Sequence, residues 1–415
     1  MMHHFLSIRK WIDSKRVLHT SMIVFLLGVY FFPSENSLKN FFYLTILLPF
    51  LLSVDIAELK KLFGSRLFLA ILMFVFYSYL SISWNPATEQ SEYFRYFARM
   101  VNLLVFIAVL CRLIRREPSY LYTIFDWMIY IAGVMAIVSI VVFYADHSFP
   151  AYRLENWGAL YHANTGASCY GLAAVVCYCR YISGNFRNHC WHYYLVLAVL
   201  MIDIALTLSR GVWLALIVAF IVTQLMRKRF ALILAPLIVA VMYVLLIKFE
   251  VLESSWYFMR NGGDNFRFAA WTKVMERIVD SPWYGFGVNT NEALQITDNF
   301  TMYHAHSVYF SQLIYGGIIA VVLLAVVALL SVVGAIKLST AYRDTTYTAL
   351  VIFALVGVAT DHSQLLLNPS QVWYFFWFPI SIIVAMQLHT AQIGENTDTS
   401  ITDSIVSVDD ALHRQ

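Results

Sequence analysis

Apolar residues in this chain fall in long unbroken runs separated by short polar clusters, not in the one-sided pattern of a soluble helix or the alternation of a strand. A helix needs about 20 mostly apolar residues to cross a bilayer, and about twelve segments meet that rule. They lie near 17–33, 38–54, 67–84, 98–114, 124–144, 163–182, 193–208, 211–226, 231–248, 307–335, 346–363 and 372–389. One polar stretch, 249–306, is far longer than the other connections. The pattern divides the chain into N-terminal transmembrane helices over 1–248, a large loop over 249–306, C-terminal transmembrane helices over 307–390 and a tail over 391–415. The tail reads GENTDTSITDSIVSVDDALHRQ from Gly394 onward, polar and acidic enough that disorder is expected. The expected fold is an all-α polytopic membrane protein whose large loop itself contains helices.

Composition supports that reading. Of 415 residues, 60% are hydrophobic and only 13% charged, with a mean hydropathy of +0.68. A soluble domain carries about 25% charged residues, so a water-solvated surface is excluded. The 16% aromatic content suits interfacial belts of Trp and Tyr. The basic start RKWIDSKR precedes an apolar run with no small-residue cleavage site after it, which predicts a retained helix rather than a signal peptide. The five cysteines form no disulfide framework and no zinc pattern. Cys177 and Cys179 are expected simply to pack in an apolar helix. No Walker A motif, dinucleotide loop or nucleic-acid module is present, so nucleic acid is not an expected partner.

The placement of charge changes the picture more than its sum of +3. With the N-terminus inside, the inner connections carry Arg9, Lys10, Lys15, Arg16, Lys60, Lys61, Arg66, Arg112, Arg115, Arg116, Arg180, Arg187, Arg227, Lys228, Arg229, Lys337 and Arg343. The short outer connections carry only Lys39, Arg95, Arg99, Arg153 and Arg210. That asymmetry follows the positive-inside rule. It puts both termini in the cytoplasm and the 249–306 loop on the far side, the periplasm of a Gram-negative cell.

Three outer stretches hold candidate chemistry. In TLSRGVW (207–213) two apolar segments meet with almost no loop, so Arg210 sits at the membrane face. Snorkelling to headgroups would explain an arginine there, but an outer cation runs against the charge rule, and Gly211 allows close approach of a backbone or ligand. A fixed cation at that depth suits a lipid-linked phosphate. In GGDNFRFAAWTKVMERIVDSPWYGFG (262–287), Asp264 or Asn265 is expected to cap a helix running to about Val279. Arg267, Trp271, Val274 and Ile278 then share one face. Arg267 would lie in the first turn, where the dipole disfavours a cation unless an anion binds. A surface pair with Asp264 is the plain alternative. Together Arg210 and Arg267 suggest a two-arginine clamp on a diphosphate.

The third stretch, YHAHSVYFSQLIYGG (303–317), sets His304 and His306 where the polar loop meets an apolar run. They share a face only if the chain is extended there. Metal ligation would want a third ligand, and Glu292, Asp298 and Asn299 have no recognised metal spacing, so no metal is expected. A neutral imidazole as general base is simpler chemistry. Capping of the helix that starts near Ser307 is the competing explanation. Trp256, Tyr257, Trp283 and Tyr284 suit sugar stacking or interface anchoring, and Arg153 and Arg260 are further outer cations able to meet substrate phosphates.

The blocks TLSRGVWLAL, Arg267 with Trp271, SPWYGFGVNT and HAHSVYFSQLIYGG, in that order over residues 207–318, resemble those shared by bacterial O-antigen ligases and their polymerase relatives. Ser307 stands where that family often has Asn, which removes any role for that amide. The resemblance implies a GT-C-like polytopic fold with a periplasmic loop packed over the inner membrane. It implies a glycosyltransferase without cofactor that moves a glycan from undecaprenyl diphosphate to the lipid A-core oligosaccharide. It maps diphosphate binding to Arg210 and Arg267 and catalysis to His304 or His306. A polymerase using the same donor is the alternative within the class. A lipid-linked sugar transporter is the alternative outside it, but a transporter would place polar groups or broken helices near the midplane. Asp203 is the main intramembrane acid, it lies near a helix end, and no internal repeat is evident.

Overall fold

The computed structural model describes residues 16–85, 88–149, 152–182, 191–229, 255–288, 290, 293–297 and 300–393. The segment expected to span at 231–248 and the tail from 394 lie outside the described residues, as do Glu292, Asp298 and Asn299 and the side chains of residues 255–265.

The protein is a bundle of apolar helices. In chain order they are α1 (Val17–Phe31), the bent α2 (Glu35–Ser53), α3 (Ile56–Leu62), α4 (Arg66–Leu80), α5 (Gln90–Arg116), α6 (Ser119–Asp146), α7 (Ala163–Val176, continued by a wider turn to Ile182), α8 (Trp191–Leu206) and α9 (Arg210–Met226). Then come α10 (Ser255–Ile278), a hairpin of β1 (Leu294–Thr297) and β2 (Phe300–Met302), α11 (Val308–Tyr342), α12 (Thr346–Thr360) and α13 (Trp373–Ile393). Local chemistry sets several starts: Ser34, Asp55 and Ser65 accept the N–H of Ser37, Ala57 and Phe68, as N-cap side chains do.

Among the described residues five helices are long and apolar enough to cross a membrane, and α2 with α3 forms a sixth, bent by 106°. Helices α1, α8, α9 and α12 are apolar but shorter. Helix α12, with 15 residues, is about 22 Å long against a hydrocarbon core of about 30 Å. The sequence pattern carried this span on to 363, but the helix stops at Thr360, because Asp361 is extended and His362 takes a left-handed conformation (φ 67). The polar residues after it line a cavity.

Helix α12 packs on α9 and α11, and α11 on α4. Gly211 sets the first of these contacts: a Cβ there would fall 2.0 Å from Thr360 Oγ1. Helix α11 is broken at Gly317 (φ 63), and the SPWYGFG turn mends the break. Phe286 and Gly287 N–H groups donate to the carbonyls of Ile314 and Tyr315 (2.7 and 2.8 Å). Ile318 and Ile319 N–H groups donate to Pro282 and Trp283 carbonyls (2.8 and 3.3 Å). A break inside an apolar helix is tolerated only when its freed groups find such partners.

Candidate active site

A cavity of about 560 Å³ opens between the segment 152–165 and the loop after α12. Its walls include Arg153, Glu155, His162, Asn164, Thr165, His304, His306, Asp361, His362, Ser363 and Gln364. The two histidines face each other with ring centroids 3.8 Å apart. That contact is possible because the chain is not helical at 304–306 and His306 is left-handed (φ 49). Trp271 pins the turn: its indole N–H donates to the Ala305 carbonyl (2.9 Å) and its ring stacks on Phe310.

Hydrogen bonds assign different roles to the two rings. The backbone N–H of His306 donates to His304 Nδ1 (3.3 Å), so the proton of neutral His304 sits on Nε2. His306 Nδ1 lies 3.1 Å from Asp361 Oδ1. An ionised carboxylate only accepts, so Nδ1 donates and Nε2 of His306 keeps a free lone pair. Burial opposes the Asp361 charge, but the His306 hydrogen bond, with His362 and Arg267 nearby, outweighs it and holds the carboxyl below its usual range. Burial, then His306, His362 and Arg267, push the His304 imidazole down to about 4, against the pull of Asp361. His304 is thus neutral at neutral pH. Burial likewise lowers His362, whose Nε2 has no hydrogen-bond partner among the described residues.

Of the arginines, Arg153 lines the cavity, whereas Arg210 and Arg267 are not among its walls. Arg267 donates from Nη1 to the carbonyl of Thr360 (2.7 Å), the residue before Asp361. Arg210 opens α9, next to the Gly211 that touches Thr360. The last residue of α12 therefore gathers the two arginine-bearing helices. Arg153 donates from Nε to the Thr207 carbonyl and from Nη2 to Asn164 Oδ1. Burial works against its charge, and Asp361, Arg267 and Glu155 are close enough to act on it.

Several expectations from the sequence need correction. Helix α10 runs from Ser255 through Gly262 and Gly263 to Ile278, so Arg267 is mid-helix and not in a first turn. The dipole argument for an anion there fails, since Arg267 meets the carbonyl end of α12 instead. Its shared face with Trp271, Val274 and Ile278 does hold, because Val274 and Ile278 are buried and the other two half-buried. Trp271 is committed to the Ala305 carbonyl and does not line the cavity. Trp283 and Tyr284 sit at the Gly317 break, Tyr284 against Trp84, away from the cavity. Arg260 lies on α10, its side chain outside the described residues. Ser307 stands at the N-cap of α11 without a capping bond from its side chain. Among the described residues no group of three His, Cys, Asp or Glu is arranged to hold a metal.

Asp361, His362 and Asn164 were not expected as site residues. The signal was the cluster TDHSQ (360–364) at an apolar run's end, masked because the run was carried over it.

Apolar spans around a polar, acid–base-capable cavity define a multi-pass membrane protein with its candidate chemistry at one end of the bundle. Residues 194–325 match the family model described as O-antigen ligase. The chain is also 23% identical over 382 residues to an O-antigen ligase of Pseudomonas aeruginosa, covering 89% of this chain and 90% of that protein. The resemblance read from the sequence is borne out by both matches, the family model covering residues 194–325 of the chain. Arg210, Arg267, His304 and His306 lie inside the matched segment, whereas Arg153 and Asp361 lie outside it.

Proposed function

We propose that this protein is an O-antigen ligase of the bacterial inner membrane. It transfers O-antigen glycan from undecaprenyl diphosphate to the lipid A-core oligosaccharide on the periplasmic face, with about twelve spans and both termini cytoplasmic. The observation that carries this reading is the His306–Asp361 pair in a cavity lined by Arg153, with Arg267 bonded to the residue before Asp361. Asp361 orients His306 so that Nε2 takes the proton of the acceptor hydroxyl as its oxygen attacks the anomeric carbon. The bond to the diphosphate oxygen breaks, and Arg210 and Arg267 stabilise the charge that develops on the leaving group. Attack opposite that group inverts the anomeric centre. His304, neutral with its proton on Nε2, supplies a hydrogen bond rather than a base. No step requires a metal. The polar cavity at the bundle's end favours this reading over a transporter.

The test is to incubate the purified protein with undecaprenyl-diphosphate-linked O-antigen and rough lipopolysaccharide, with chelator and no added metal. Glycan should appear on the lipopolysaccharide with wild type and not with His306→Ala. Lengthening of the donor with bare lipopolysaccharide would instead identify a polymerase. Activity abolished by the chelator would reject the metal-free mechanism.

A further inference from the structure

Beneath the cavity lies a buried acid that this chemistry does not use. Asp203, in the last turn of α8, is fully buried. Its two oxygens accept from Nδ2 of Asn156 at 3.1 and 2.9 Å. The other side of that amide is unsatisfied: Asn156 Oδ1 is buried with no hydrogen-bond partner among the described residues. A fully buried carboxyl group answered by a single amide is costly, and an orphaned carbonyl adds to the cost. Apolar side chains of similar volume would serve stability better at such a place. Packing alone therefore does not account for this pair.

Its location does. Asn156 sits where three elements meet: the segment 152–157, α7 and α8. In α7, a Cβ at Gly166 would lie 2.1 Å from Asn156 Oδ1, so glycine leaves the room that the amide fills. The same three elements meet again one layer up, at Arg153. The segment carries Arg153 itself, the first turn of α7 supplies Asn164, and the residue after α8 supplies the Thr207 carbonyl. Between the layers, Leu154 N–H donates to the Leu206 carbonyl (3.0 Å).

We infer that Asp203 and Asn156 form a buried mount that fixes Arg153 in the cavity, with Asp203 a positioning residue for the phosphate or carboxylate that Arg153 meets. The functional half of this inference rests on the proposed glycosyl transfer; the mount itself does not.

The test combines a double-mutant cycle with hydrogen–deuterium exchange on the full-length protein in lipid nanodiscs. Asp203→Leu and Arg153→Ala should each lower kcat/KM for rough lipopolysaccharide by roughly 100-fold, the scale of a 1 Å misplacement. The double variant should fall no further, whereas Asp203→Leu with Arg267→Ala should multiply. Asp203→Asn should restore transfer, because its amide can accept from Asn156 Nδ2 and donate to Asn156 Oδ1. Asp203→Leu should also speed exchange across 152–165 but not across 304–317. Gly166→Ala, which presses Asn156 from the other side, should give the same exchange pattern if Asp203→Leu does not fold. Multiplying losses at Asp203 and Arg153, or exchange unchanged or raised everywhere, would overturn the mount. A wild-type protein that transfers no glycan would remove the glycosyl-transfer reading, and the exchange result would still decide whether the mount exists.

Discussion

The two ends of helix α12 hold arginines in opposite circumstances. At its start Arg180 pairs with Asp344 (3.8 Å) and lies over the Tyr122 ring. In the same set of basic residues, Arg115 pairs with Glu58, which also lies near Arg116 and Lys61. At the other end Arg267 and Arg153 donate to the carbonyls of Thr360 and Thr207 and to an asparagine oxygen, and among the described residues neither joins an ion pair. Asp361, the carboxylate close enough to act on both, is committed to His306. Cations whose partners are neutral keep their charge for a ligand, whereas paired ones have spent it on the fold.

That contrast can be broken by mutation. The largest effect is expected from His306→Ala, which should cost about 10²- to 10⁴-fold in transfer rate at unchanged membrane abundance; wild-type turnover would end the dyad reading. Arg267→Ala should cost about 10²- to 10³-fold in kcat as an electrostatic donor is lost, and Arg267→Lys should recover little, since an ammonium lacks the bidentate fork. At the paired end the readout should change in kind. Arg115→Met should lower stability by roughly 1–3 kcal/mol, because Glu58 loses its buried partner but keeps Lys61 and Arg116 nearby, measured by thermal unfolding in detergent, with turnover per folded molecule preserved. Equal catalytic losses at both ends would erase the distinction.

The smallest effect concerns pH. His304 in the folded protein takes a proton only near 4, below the ordinary histidine value of about 6.5. A depressed value means that the unfolded chain binds the proton first, so the stability His304 contributes is full above about 6.5 and is lost as pH falls toward 4. Over pH 5 to 7 His304→Gln should therefore leave the shape of the rate profile unchanged. A profile whose acid limb moves with that substitution would make His304 the titrating group.

Much of the site was legible in the chain because local chemistry marks it. Arg210 beside Gly211, and two histidines at a polar–apolar border, stand out against apolar runs wherever the fold takes them. The 307–335 run was carried through Gly316 and Gly317, yet the helix breaks at Gly317, where the SPWYGFG turn supplies the missing partners. Arg267 was found for a wrong reason: Asp264 or Asn265 was expected to cap a helix start, yet α10 runs on through Gly262, Gly263 and both of them, because propensity is a weak prior against tertiary context. Asp361 was missed because hydropathy averages over a window and a single acid after fifteen apolar positions does not end the run.

Sequence by itself determined that this is a polytopic membrane protein, which flank is basic, and which residue types are available at the other flank, since hydropathy and charge act position by position. Tertiary structure alone decided that neutral His306, and not His304, keeps a free lone pair, because that depends on Asp361, 55 residues further along the chain. It also decided that Arg153 enters the cavity, through Thr207 and Asn164, while Trp283 and Tyr284 stay outside it. Proton position and cavity membership are properties of contacts between distant segments, and no local pattern encodes them.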